Sequence, residues 1–171
     1  ELIHEIGQID ELYGAIGTGG SLCGTALGLR KQGAKTIINA IEPDGSIIFG
    51  GEGKAYYQSG TGNPIDAPIP SIIDYTLIDH NFYSTDSEAF TTCRFFAKKF
   101  GVLIGGSAGG VLYKALECIA QKKDKGTAVI LLCDGGERYI DTVFNDEWIN
   151  KHSFNNQYVY NNLENWLEEN K

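Results

Sequence analysis

The chain has 171 residues, with 14 Lys plus Arg against 22 Asp plus Glu and a formal charge of −8. That length makes one domain or slightly more, and that sign of charge excludes a general phosphate-backbone binder, so no nucleic-acid partner is expected. No apolar run approaches the roughly 18 residues that span a bilayer, and Glu1, His4, Glu5 and Asp10 break up the start, so neither a membrane segment nor a signal peptide is read there.

In chain order, Leu2 to Ile6 reads as the end of a helix and Glu11 to Ile16 as a short apolar strand running into Gly17. Gly20 to Gln32 is a helix with Leu22, Ala26 and Leu29 on one face, stopped by Gly33. Thr36 to Ile41 is a β-branched buried strand, and Glu42-Pro43-Asp44-Gly45 is a turn signal. Residues 50–70, dense in Gly and Pro, form a long loop of the kind that is functional in compact domains. Asp74 to Asp79 is predicted as a strand, and Ser84 or Thr85 caps a helix running to about Lys99 and ended by Gly101. Val102 to Ile104 is expected as a short buried strand, Val111 to Gln121 as a helix, and Thr127 to Cys133 as the clearest strand. Two or three short helices follow, and the polar tail from Asn155 has Trp166 and Leu167 as its only strong anchors.

Strands alternating with helices give an α/β fold, a three-layer sandwich whose mostly parallel sheet carries helices on both faces. Glycine supplies 22 residues, about twice the usual share, and clusters where three strands end: Gly17-Thr18-Gly19-Gly20, Gly105-Gly106-Ser107 and Gly135-Gly136. Ligands of open α/β sheets bind beyond the carboxyl ends of strands. In Gly17-Thr18-Gly19-Gly20-Ser21, backbone N–H groups, a helix N-terminus and two hydroxyls make a phosphate cradle without Lys or Arg. A Walker A loop is excluded because no Gly-Lys-Ser/Thr follows. A dinucleotide fingerprint would need Gly at position 22, where this chain has Leu22, although Glu42 could pass as its ribose-binding acid. Ser107 sits at or near a helix N-cap. Asp134-Gly135-Gly136-Glu137-Arg138-Tyr139 reads otherwise as a turn into a capped helix with a structural ion pair. Cys23, Cys93, Cys118 and Cys133 show no metal-like spacing and read as buried or half-buried thiols, which suits a reducing cytoplasm. His4, His80 and His152 stand in unrelated patterns, and no metal is expected.

Taken together, Gly17 to Ser21, Glu42-Pro43-Asp44-Gly45-Ser46, Gly105-Gly106-Ser107-Ala108-Gly109 and Gly136-Glu137-Arg138-Tyr139 resemble the cysteine synthase and cystathionine β-synthase family, fold-type-II enzymes that use pyridoxal 5′-phosphate. The likeness covers roughly residues 2–152. The Gly-Gly-Ser-Ala-Gly form and Asp146-Glu147-Trp148 are similar to cystathionine β-synthase, and Gly-Glu-Arg-Tyr to cysteine synthase. Ser46-Ile47-Ile48-Phe49-Gly50 resembles the siderophore-pathway relatives that make 2,3-diaminopropionate precursors from O-phosphoserine.

The resemblance implies a tryptophan synthase β-like fold, with residues 1–152 as the large, C-terminal cofactor domain and 153–171 as a polar tail. It implies that Gly17, Thr18, Gly19, Gly20 and Ser21 bind the cofactor phosphate and that Ser107 hydrogen-bonds the pyridine nitrogen. Gly60, Thr61 and Gly62 would match the substrate-side glycine loop at the active-site mouth, with Thr61 replacing a usual apolar residue. A neutral hydroxyl at the ring nitrogen leaves it largely unprotonated, which favours loss of a β-substituent, giving an aminoacrylate that a thiol, sulfide or amine attacks. Serine, O-acetylserine and O-phosphoserine remain candidate donors. A cytoplasmic homodimer acting on a small amino acid is expected.

Such chemistry needs a Schiff-base lysine, which the family carries in a Ser/Thr-x-Lys-Asp-type motif upstream of the phosphate loop. None of the lysines here, from Lys31 to Lys171, has that context, and most read as solvated. The sequence also holds no Met. The chain is therefore expected to be the C-terminal half of a larger enzyme and inactive alone. A nicotinamide-dinucleotide domain and a non-catalytic homologue are the alternatives.

Overall fold

The computed structural model describes residues 1–124 and 126–168. Four strands, β1 (Glu11–Ala15), β2 (Ile37–Pro43), β3 (His80–Ser84) and β4 (Ala128–Leu131), form one all-parallel sheet in the order β3-β2-β1-β4. Six helices surround it: α1 (Leu2–Ile6), α2 (Gly20–Lys31), α3 (Asp86–Phe100), α4 (Gly106–Ala120), α5 (Asp146–Lys151) and α6 (Gln157–Glu168).

Side chains alternate along each strand, which divides the core into two. Leu12, Ile38, Ala40 and Val129 pack with Leu22, Ala26 and Leu29 of α2. Tyr13 and Ile41 turn the other way, onto Val111 and Ala115 of α4. Outside α4 lies α3, joined through Phe90, Cys93, Ala108 and Leu112. The α/β sandwich with helices on both faces is thus the observed architecture. Among the described residues, no helix is long and apolar enough to cross a membrane.

Four expectations need correction. Residues 74–79 are not a strand: the Asp74 carboxylate accepts from the Thr76 N–H and hydroxyl, which folds Tyr75–Leu77 into a 3₁₀ turn, and pairing begins only at His80. Val102 to Ile104 makes a single antiparallel bridge, between Ile104 and Gly135, and Val102 is exposed. The left-handed Gly101 (φ 68°) leaves too short a run before α4 to build a ladder. α4 itself starts inside the glycine cluster, at Gly106 rather than Val111, because tight packing there outweighs the low helix propensity of glycine. The tail has buried anchors besides Trp166 and Leu167. Val159 and Leu163 of α6 are 2% and 0% exposed, packed with Phe95 and Tyr113, an i,i+4 pair thinly spaced in a polar run.

Two smaller readings also change. Cys133 is exposed, at the end of an edge strand. Lys114 is not solvated: its ammonium, with the side chain 12% exposed, donates to Glu88 at 2.9 Å and Glu117 at 3.0 Å.

The connection from β2 to β3 lies over the carboxyl edge of the sheet. It starts from Glu42, which is fully buried. Its carboxylate accepts from the N–H groups of Ile48 at 3.2 Å and Phe49 at 3.3 Å. Burial raises the Glu42 carboxyl above its ordinary value, and the Ser46, Phe49 and Ile48 donors counter the rise.

Truncating Leu163 to Ala should cost about 2–4 kcal/mol, the usual range for a filled core site. Urea denaturation checks it, and a loss below about 0.5 kcal/mol would mean that α6 is not part of the cooperative fold. Glu42→Gln removes a titration. Because the folded pKa is raised, the wild-type carboxylate costs stability above the carboxylate range and that cost is relieved as pH falls through it. The Tm of the variant minus that of the wild type should therefore climb from acid pH to neutrality. A difference flat with pH would show that Glu42 is not held in this environment.

Candidate functional site

β1 ends at the Gly17-Thr18-Gly19-Gly20-Ser21 loop, and α2 leaves it. Gly19, the N-cap, is left-handed at φ 89°, and a Cβ there would stand 2.8 Å from Ile73 Cγ1. The loop can follow this path only with glycine at that position. No side chain caps α2, so its first N–H groups stay free to donate at the positive end of a 12-residue helix. Among the described residues, the Thr18 and Ser21 hydroxyls have no hydrogen-bond partner.

The Gly60-Thr61-Gly62 turn lies directly on this loop. A Cβ on Gly17 would stand 3.2 Å from the Gly60 carbonyl oxygen and 3.3 Å from Thr61 Cα. The Ile16 carbonyl accepts from the Gly62 N–H at 2.7 Å and the Thr61 hydroxyl at 2.9 Å. Thr61 therefore uses its hydroxyl to fasten the turn, which leaves backbone groups for the cleft. That cleft has a volume of about 380 Å³ and is lined by Gly17, Thr18, Tyr56, Gln58, Thr61 and Pro70 among others.

Ser107 belongs to the first turn of α4, whose N-cap is Gly105. It is 5% exposed, and among the described residues its hydroxyl has no partner. Val111, one turn on, packs on Tyr13 and Ile41, and a Cβ on Gly110 would meet Ser84, the last residue of β3. The start of α4 thus reaches the same carboxyl edge of the sheet as the Gly17 loop.

The third glycine cluster supports α4. Gly105 N–H donates to the Asp134 carbonyl at 3.1 Å, and the Tyr139 hydroxyl donates to Asp134 Oδ2 at 2.7 Å. Asp134 Oδ1 is buried against Gly105 with no partner among the described residues. The ion pair expected here is replaced by this tyrosine–carboxylate bond, and Gly136–Tyr139 is a 3₁₀ turn. Burial raises the Tyr139 phenol, and the Asp134 bond adds to it. The buried Cys93 thiol, whose Sγ lies 3.3 Å from the Gly105 carbonyl oxygen, is pushed up to about 12 by burial.

Chemically, the Gly17 loop suits a phosphate and Ser107 suits a neutral ring nitrogen. Both sets of donors are uncommitted among the described residues, so pyridoxal 5′-phosphate fits the residues present. Glu42, spent on Ile48 and Phe49, is not free for a ribose, which removes the dinucleotide alternative. No lysine lines the cleft among the described residues. Lys54 pairs with Asp44 at 2.7 Å, and Lys114 and Lys122 are paired with glutamates. Sequence reasoning missed Gln58, Asp86 and the Asp134–Tyr139 bond: Gln58 is one amide in a glycine-rich loop, and Asp86 an acid at a helix start.

The family described as pyridoxal-phosphate dependent enzyme matches residues 1–134. A Sinorhizobium fredii protein named "Putative cysteine synthase" is 43% identical over 159 residues, 93% of this chain and 47% of that protein. The O-acetylserine dependent cystathionine beta-synthase of Bacillus subtilis is 38% identical over 137 residues, 78% of this chain and 43% of its own length. The crystal structure of O-acetyl serine sulfhydrylase isoform 3 from Entamoeba histolytica superposes with a TM-score of 0.75 at 23% identity, over 90% of this chain and 48% of that one, and shows the shared fold. The chain spans about half the length of these proteins. With that family model matching residues 1–134, the chain belongs to the pyridoxal-phosphate dependent enzymes, and its relatives include proteins named as cysteine synthase and cystathionine beta-synthase.

Proposed function

We propose that the protein carries out β-replacement on an activated L-serine, and that this chain supplies the phosphate cradle and the partner of the ring nitrogen. The observation that carries the reading is the pair of uncommitted donor sets at one sheet edge: the open start of α2 with Thr18 and Ser21, and the nearly buried Ser107 hydroxyl. When bound, pyridoxal 5′-phosphate supplies the electron sink through which a β-substituent leaves and a nucleophile replaces it.

The residues of this chain bind and orient. Gly17 to Ser21 offer backbone N–H groups and two hydroxyls to a dianion, assisted by the α2 dipole and with no lysine or arginine consumed. Ser107 hydrogen-bonds the ring nitrogen without a charge, so it does not hold a proton there as a carboxylate would. Gly60 to Gly62 present backbone groups on the substrate side of the cleft. The Schiff-base lysine comes from the part of the protein outside this chain. An acylated or phosphorylated serine is the favoured donor: the Bacillus relative is named for O-acetylserine, and the Ser46 to Gly50 run resembles users of O-phosphoserine.

Ser107→Asp in the full-length protein should cut β-replacement at least tenfold, about 1.4 kcal/mol of barrier, while the cofactor still binds. Steady-state turnover together with the cofactor's absorption spectrum checks it, and unchanged turnover would remove Ser107 from the mechanism. Gly19→Val meets both the left-handed backbone and Ile73, so it should weaken pyridoxal 5′-phosphate binding by roughly tenfold or more. Pyridoxal without the phosphate should be little affected. Equal losses for the two ligands in equilibrium titration would refute the phosphate cradle.

A further inference from the structure

Residues 56–63 form no helix or strand, yet Gln58, Thr61 and Asn63 are only 3%, 6% and 6% exposed. A segment buried without regular structure must find partners for its backbone groups on side chains or on other loops. One carboxylate does much of this. Asp86, the first residue of α3, accepts from Tyr57 N–H at 2.9 Å, Gln58 N–H at 3.2 Å and Gln58 Nε2 at 3.4 Å. The Gln58 amide is committed on both sides: Nε2 also donates to the Ser84 carbonyl at 3.0 Å, and Oε1 accepts from the Ser84 hydroxyl at 3.0 Å.

These two residues also touch α4. A Cβ on Gly110 would stand 2.6 Å from Gln58 Oε1 and 2.5 Å from Ser84 Oγ, so α4 packs directly on the pair one turn beyond Ser107. At the other end of the segment, Gly60 and Thr61 press on Gly17. Asp86 is not needed as a helix cap, because Thr85 and Glu88 already close α3 with a reciprocal capping box. Burial raises its carboxyl above the ordinary range while the Tyr57 and Gln58 donors oppose the rise, as befits a charge desolvated in order to accept backbone bonds.

We infer that Asp86 is a positioning residue, which through Tyr57, Gln58 and Ser84 holds the Gly60–Gly62 turn on the Gly17 loop and in register with α4. Asp86 itself does not line the cleft. Only the assignment of that turn to the substrate rests on the proposed function.

Amide hydrogen exchange in the full-length protein tests the clamp in wild type, Asp86→Asn and Asp86→Ala. Asn keeps one acceptor oxygen and Ala none. Exchange over residues 57–62 should quicken about tenfold in D86N and further in D86A, while β1 and β2 keep their protection. Unchanged exchange there in both variants, or an equal rise throughout the chain, overturns the inference. In the full-length protein with its cofactor, D86N should raise KM for the amino-acid substrate about fivefold or more and leave kcat and cofactor affinity within about twofold. Faster exchange with an unmoved KM overturns the substrate side of the inference. A wild-type protein that binds no pyridoxal 5′-phosphate defeats the proposed function instead, and leaves the exchange result standing.

Discussion

The site depends on how a long connection without secondary structure is held at the carboxyl edge of the sheet. Between β2 and β3 the chain has, apart from the 3₁₀ turn at Tyr75–Leu77, no ladder or helix in which to satisfy its N–H groups, and leaving them buried and unpaired would cost about 1–3 kcal/mol each. Turn carbonyls accept some of them, and side chains accept others. Glu42 takes Ile48 and Phe49, the Ser46 hydroxyl takes Asn63 at 2.9 Å, and Asp86 takes Tyr57 and Gln58. Two of these acceptors are carboxylates whose burial raises their pKa. The cost of desolvating them is the cost of a rigid loop, and a rigid loop gives the Gly17 cradle a second wall.

The same edge gathers the starts of three longer helices, and their chemistry differs. α3 is closed by its own capping box. α4 has no side-chain cap of its own but has the Asp134 carboxylate lying against Gly105, so an anion placed there would be repelled. α2, like α4, has neither a capping side chain nor an acid in its first turn, but its N-cap Gly19 abuts Ile73 rather than a carboxylate. The arrangement thus suits an anionic group at α2 and a neutral acceptor at Ser107, as the proposed function requires. This polarity comes from where the carboxylates lie, with no lysine or arginine involved.

How much of this was legible depends on the range of the interaction. The Gly17–Ser21 turn shows in the sequence because a left-handed turn before a helix admits few residues, and Gly19 records that constraint locally. The capping of α3 by Thr85 is equally local. The clamp is not: Asp86 and Gln58 lie 28 apart, and each taken alone is an ordinary helix-start acid or loop amide. β3 was displaced because Asp74, which looked like part of a strand, bonds Thr76 two residues on. α6 looked like a tail because two buried residues, Val159 and Leu163, are a weak periodic signal in a polar run. Thr61 reads as an exception to an apolar position, and its hydroxyl proves to bond the Ile16 carbonyl.

The strand order also has a consequence for how the chain assembles. β1, β2 and β3 pair with sequence neighbours, but the other edge of β1 is covered by β4, with Glu11 opposite Ala128. Asp10 and Thr127, which bond beside that pairing, are 117 apart. Loop closure over such a span is slow compared with helix formation. On a ribosome making about 5–20 residues per second, β1 would therefore wait several seconds with one edge unpaired. The start of α4, where Ser107 sits, is synthesised during that interval, and the helix has its full sheet to rest on only after β4 arrives.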